Sequence, residues 1–315
     1  MGTTLRTAGC VAGVLVSTAV IAACGSSAAE SAEPAADTRD KLVFAAIPSE
    51  ESQSLQQRYR LVIEVIEDET GLPVEFQNAT DYAAVIEAQR AGKADIAGYG
   101  PFSYVTARDS GVGTTPVASA VDAADIDPGY YAYGIAHPGA GISGLADMRG
   151  RNVCFVDPAS TSGYLYPSAG LVGAGIDPAT DLNAVYAGGH DAVVFAVASG
   201  QCDAGFATQT MVEETLPGKG QLEDGDVQVV WTSELIAGSP ITISDHLPAD
   251  LRDQLTDIFR TKLTRPALVE AGYCDDEASC DLPDSTGYGY VPIDDSHFAG
   301  VREVCATTRA QACTG

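Results

Sequence analysis

"NVCFVDPASTSGYLYPSAGLVGAG", residues 152–175, passes from one backbone period to another within a few positions. Asn152–Pro158 is a short apolar run of strand length, and from Ser162 onward small and apolar residues follow a helical pattern. Between the two, Ser160, Thr161 and Ser162 stand at the mouth of the helix. The first backbone N–H groups of a helix have no partner within it. Neutral hydroxyls placed there, with the positive end of the helix dipole, suit an anion. Taken alone, the stretch fits a serine- or threonine-capped helix without a ligand better. Pro167 limits where the helix can begin, because its ring is tolerated only in the first turn.

The alternation continues on both sides. Downstream, "NAVYAGG" reads as a strand, "HDAVVFAVASGQ" as a helix and "CDAGFAT" as a strand. His190 therefore opens a second helix one strand–helix–strand step after Thr161, and both helix mouths should face the same cleft edge. Upstream, "KLVFAAIP" (41–48) is a strand and "LQQRYRLVIEVIEDETG" (55–71) a helix that stops at Gly71. "LPVEFQNA" is a strand, followed by a helix opening at Thr80 or Asp81 and a strand at "ADIAG". This rhythm predicts α/β structure with parallel sheets. "VQVVWTSE" (227–234) leads back out, and "PADLRDQLTDIFRTKL" (248–263) is an amphipathic helix. The reading is two lobes: 41–134 with 239–315, and 135–238 inserted. Crossings near 134–138 and 231–238 form a two-segment hinge beside a cleft at the strand C-termini.

Charge and cysteines bound the function. A formal net charge of −26 excludes a nucleic-acid binder, which needs a basic footprint, and argues against docking on anionic lipid. Residues 1–24 carry one basic residue, Arg6, an apolar run from Val11 to Ala23, then Cys24, the pattern of a signal peptide. Ile21-Ala22-Ala23-Cys24 resembles a bacterial lipobox, which implies lipidation at Cys24. Residues 25–40 read as a flexible linker. Spacing among the other cysteines favours two local loops, Cys274–Cys280 and Cys305–Cys313, which leaves Cys154 to pair with Cys202. No zinc-ligand spacing appears. His137, His190, His246 and His297 are scattered, and "IDDSH" (293–297) reads as a solvated loop. No metal and no cofactor is expected.

Four ordered motifs carry a family resemblance: "TDYAAVIEAQRAGKADIAGYGPFSYVTA" (80–107), "GYYAYGI" (129–135), "LADMRGRNVCFVDPASTSGYLYP" (145–167) and "YAGGHDAVVFAVASGQCDAG" (186–205). Across about residues 41–245 the chain resembles the phosphonate/phosphite substrate-binding proteins of ABC importers. The resemblance implies a type II periplasmic-binding-protein fold, with the ligand cleft between two α/β lobes. It implies a monomer, lipid-anchored on the outer face of the cytoplasmic membrane, that captures a small phosphorus oxyanion (phosphonate, phosphite or phosphate ester) and delivers it to a permease with a cytoplasmic ATPase. Tyr82 and Tyr131 would close over the phosphorus group held by Ser160, Thr161, Ser162 and His190. A bound dianion would favour protonated His190. Tyr99, Thr210 and Ser239 are secondary contacts. Thr210 and Ser239 align where relatives that carry aminoalkyl phosphonates place acids, so an uncharged or absent substituent is expected in an otherwise uncharged pocket. The alternative is an exported serine hydrolase using a serine such as Ser162, His190 and Asp203. The nearest approach to its GxSxG elbow, "GISGL" (141–145), breaks at Leu145.

Overall fold

The short apolar runs become buried strands. The computed structural model describes residues 39–283, 286–308 and 313; the signal, Cys24 and most of the 25–40 linker lie outside them. The chain begins with β1 (Leu42–Ala46), β2 (Val74–Asn78), β3 (Ile96–Gly98) and β4 (Thr114–Val121). A two-residue strand, β5 (Gly129–Tyr130), leads into β6 (Ala132–Ala136), β7 (Asn152–Phe155), β8 (Asn183–Tyr186), β9 (Ala204–Thr208) and β10 (Gln228–Thr232). The return passes through β11 (Ile236–Ala237) to β12 (Pro240–Ser244) and β13 (Gly289–Pro292).

These strands form a six-stranded sheet in the order β13-β4-β12-β3-β1-β2, a five-stranded sheet β10-β6-β9-β7-β8, and a ribbon β11-β5. The strand–helix repeats yield the parallel parts, β2-β1-β3 and β8-β7-β9. Elsewhere the sheets are antiparallel. A parallel neighbour needs a crossover of a dozen or more residues, whereas β12 enters the first sheet straight from the ribbon. The chain changes sheet at β5 and again at β11. Ala132–Gly134 already pair within the second sheet, so the expected boundary at 134/135 falls inside β6. The return at 238/239 falls between β11 and β12.

Each sheet has its own apolar layer. Phe44, Val62, Ile66, Ile96, Phe259 and Leu263 fill the first, and Val153, Phe155, Leu171, Ala204 and Phe206 pack beside the second. Each such large side chain removed from water contributes about 1.5–3 kcal/mol. A third cluster spans the lobes: Tyr99, Phe102 and Tyr104 meet Leu165 and Tyr166, together with Phe298 and Val301. The last two belong to the C-terminal segment, whose helix Ala299–Thr308 packs on helices of both lobes. Disulfides join Cys154 to Cys202, Cys274 to Cys280 and Cys305 to Cys313, the pairing the spacing favours. The first ties the strand before the Ser160 turn to the entry of β9.

Local signals set the helix ends. Gly71, at φ 69°, closes the helix Arg60–Thr70 with its N–H on Glu67 O, a left-handed stop that glycine adopts without steric cost. Asp81 caps the helix Tyr82–Arg90, its carboxylate accepting from Ala84 N at 2.7 Å.

Candidate functional site

After β7 the chain turns through Asp157, which accepts the Ala159 N–H at 2.7 Å. Ser160 is the cap residue, extended at φ −76° and ψ 137°, and its hydroxyl accepts from Gly163 N at 3.1 Å. Thr161–Leu165 then winds as a wide π-turn, and an α-helix continues from Tyr166 to Gly173. Pro167 explains the change of pitch. It has no N–H to offer, and the Gly163 carbonyl it would have met accepts from Val156 N instead, at 3.2 Å. A Cβ on Gly163 would lie 2.3 Å from Val156 Cγ2, so only glycine fits there. The result buries Ser160, Thr161 and Ser162 while they front a cavity.

His190 begins the next helix, His190–Ala198, after Gly189. Its Nδ1 accepts the Thr208 N–H at 3.2 Å, which leaves the ring proton on Nε2. Burial pushes its pKa down to about 4, with Glu50 opposing. His190 is therefore a neutral donor. A proton on Nδ1 would set two N–H groups against each other.

The first lobe supplies two more helix starts. Tyr82 opens Tyr82–Arg90; it is buried, and its hydroxyl is directed at Ser160 but closes no hydrogen bond. Gly100 precedes Pro101–Asp109, and Phe102 N donates across the gap to Thr161 Oγ1 at 2.8 Å. Four helix N-termini thus open on one cavity of about 170 Å³, whose wall includes Tyr82, Gly100, Ser160, Thr161, Ser162 and His190. The hydroxyls on this wall and the aligned dipoles of the helix starts are chemistry that suits an anion.

A family model described as "ABC transporter, phosphonate, periplasmic substrate-binding protein" matches residues 44–297. The chain belongs to this family. It is 40% identical to the phosphate-import protein PhnD of Mycolicibacterium smegmatis, over 88% of each chain. It is 30% identical to the phosphonates-binding periplasmic protein of Escherichia coli, over 76% of this chain and 73% of that one. In fold it is similar to PhnD1 of Prochlorococcus marinus, solved in complex with methylphosphonate, with a TM-score of 0.75, 18% identity, and coverage of 86% and 99%.

Phosphonate substrate-binding proteins bind and hand over their ligand, and this chain is not an enzyme. The geometry agrees. A catalytic histidine donates its Nδ1 proton to a carboxylate, whereas His190 Nδ1 accepts one from a backbone amide. Asp203 lies at the other end of β9 and accepts from Asn152 N at 3.0 Å. Among the described residues no group of three His, Cys, Asp or Glu could hold a metal ion. In the "IDDSH" segment, Asp294 caps a short turn, Asp295 accepts from Tyr104 OH at 2.7 Å, and His297 Nε2 lies 3.1 Å from Pro128 O.

Within this phosphonate-binding fold the tyrosine assignment shifts by one residue. Tyr131 is 38% exposed and off the cavity, whereas Tyr130 lines it. The ribbon decides this. Tyr130 pairs with Ile236, whereas Tyr131 lies between β5 and β6 with its side chain partly exposed. The Tyr130 hydroxyl converges on Ser162, Thr161 and Ser239, while burial pushes its pKa up to about 12. Tyr130→Phe is expected to weaken oxyanion binding about tenfold, one hydrogen bond to a charged group, and Tyr131→Phe less than about twofold, as read by isothermal titration.

Thr210 and Ser239 line the cavity as neutral hydroxyls. Tyr99 forms wall only, since its hydroxyl donates to Gln89 Oε1 at 3.0 Å. Two charged residues on the wall went unread in the sequence, Arg58 and Asp122. Arg58 pairs with buried Glu50, and Asp122 accepts from Gly287 N at 3.1 Å. The pocket is therefore not uncharged. Its cation is partly neutralised and its carboxylate is engaged by backbone.

Proposed function

We propose that this member of the phosphonate substrate-binding family captures a small phosphorus oxyanion at the four converging helix starts, with Tyr82, Tyr130, Ser160, Thr161, Ser162 and His190 as its contacts. The observation that carries the reading is the buried Tyr82 hydroxyl, aimed at this cradle without a partner. A buried hydroxyl left unsatisfied costs about 1–3 kcal/mol, which an oxyanion would relieve. Hydroxyls donate and accept alike, so the cradle also suits the P–OH of inorganic phosphate, in line with the name of the Mycolicibacterium relative. Thr210 and Ser239 offer no charge to an ammonium group. Phosphite, methylphosphonate and phosphate are the ligands this wall fits, ahead of aminoethylphosphonate.

The lobes would hinge at the ribbon of β5 and β11 and shut on the ligand, the shut form being the one that docks on the permease and its ATPase. Ligand drives this only through its higher affinity for that form. The protein would work as an exported monomer, held on the outer face of the membrane by acyl chains on Cys24. Titration calorimetry with the four phosphorus ligands and sulfate tests the site. Micromolar or tighter binding of at least one uncharged-substituent ligand, at roughly 8 kcal/mol or more, is expected. Sulfate binding equally well, or aminoethylphosphonate binding tightest, would overturn the assignment. Release of Cys24→Ala into the soluble fraction checks the anchor.

A further inference from the structure

The loop after β1 is where the lobes meet. Ser49 O accepts from His190 N at 2.8 Å, and Glu51 N donates to Asp191 Oδ2 at 3.0 Å. Between these two bonds sits Glu50, 4% exposed. One carboxylate oxygen pairs with Arg58 of the same lobe; the other accepts from Lys219 Nζ of the inserted lobe at 2.9 Å. Burial pushes the Glu50 carboxyl up, but Arg58 and Lys219 together outweigh it and hold it below the ordinary glutamate range. The carboxylate is thus buried and charged.

Both cations belong to the cavity wall or its support. Arg58 lines the cavity, and Lys219 N donates to the carbonyl of Thr215, another wall residue, at 3.2 Å. Taking a carboxylate out of water costs several kcal/mol, and a buried ion pair often adds little stability over apolar packing; its best-attested use is to fix a register or a switch. Here the three charges span the two segments that must part when the cleft opens.

We propose that Glu50 and Lys219 form a latch across the cleft that sets how fast ligand is released, with Arg58 holding the Glu50 side chain in place on its own lobe. The latch rests on the closure reading above. Separation of the lobes breaks the Lys219 contact and leaves the Glu50–Arg58 pair in place. The latch therefore acts on release more than on capture.

Stopped-flow binding of inorganic phosphate and of methylphosphonate to wild type, Lys219→Met, Glu50→Gln and the double variant tests it. Lys219 is 38% exposed and Arg58 still pairs with Glu50, so its variant should fold, with a melting curve lowered by the loss of one partner to a buried carboxylate. Release should quicken about three- to tenfold in each single variant, with capture changed less than about twofold. The double variant should be no worse than the worse single one, because the two residues act through one contact. Unchanged release in Lys219→Met, or additive effects, would overturn the latch. If wild type binds neither probe, the ligand reading fails instead. The latch is then judged by spin-label distances between the lobes. A wider distribution in Lys219→Met supports it, and a distribution identical to wild type refutes it.

Discussion

Thr161→Val is expected to weaken binding of phosphate or methylphosphonate about 100-fold, while Thr161→Ser stays within about threefold of wild type. Valine reproduces the shape of threonine, so the variant removes a hydroxyl and leaves the packing of a residue that is 2% exposed. Two losses then add. The Oγ1 atom accepts the Phe102 N–H from the other lobe at 2.8 Å; without it, a donor in the first turn of Pro101–Asp109 is left unpaired in the shut form. That orphan costs about 1–3 kcal/mol. The hydroxyl proton, free to turn toward the ligand, is lost as well, and a hydrogen bond to a charged group contributes about 1.5–3 kcal/mol. Even the lower sum is about 2.5 kcal/mol, nearly two decades of affinity at about 1.4 kcal/mol per decade. Calorimetry on the three proteins decides the matter. A valine variant within threefold of wild type would mean that Thr161 neither holds the lobes together nor meets the ligand.

What the sequence revealed and concealed follows the range of the interactions. The strands at 42–46, 74–78 and 204–208 and the helix starts at Tyr82, Ser160 and His190 are written in adjacent residues: apolar runs, caps and stops such as Asp81 and Gly71. The disulfides could be read because small loops constrain which partners remain. Tyr130 could not be told from Tyr131. Tyr130 stands at the cavity where it pairs with Ile236, contributed from the far end of the inserted lobe. Arg58 reads as one more polar position on an amphipathic helix, and its place on the cavity wall and its pairing with Glu50 are tertiary facts that no local pattern announces. Pro167 announced an irregular helix start but not its form, because the widened turn depends on Val156 claiming the Gly163 carbonyl. The C-terminal segment carried little of the family resemblance, yet its helix braces both lobes. Its apolar face is matched to surfaces that no local pattern reveals.

His190 should dominate the acid side of the stability curve. Its ordinary pKa is 6.5, and burial holds it at about 4 in the folded chain. Below pH 6.5 the unfolded chain takes up a proton that the folded chain refuses, so stability falls as the pH drops. The contribution is fully present above about pH 6.5 and is lost progressively toward pH 4. The displacement corresponds to about 3 kcal/mol, of which roughly 2–3 kcal/mol should disappear between pH 7 and 4.5. Carboxylates titrate in the same window in any variant, so the informative quantity is the difference from His190→Gln, which cannot take up the proton. Urea denaturation across that range should show wild type losing stability relative to the glutamine variant by this amount. A difference that stays flat would mean that folded His190 titrates like a free imidazole, which the Thr208 N–H on Nδ1 forbids. The same bond ties stability to recognition. A ring that resists protonation keeps one hydrogen, on Nε2, and with it an uncharged donor whose character does not change while the phosphorus ligand itself changes charge near neutral pH.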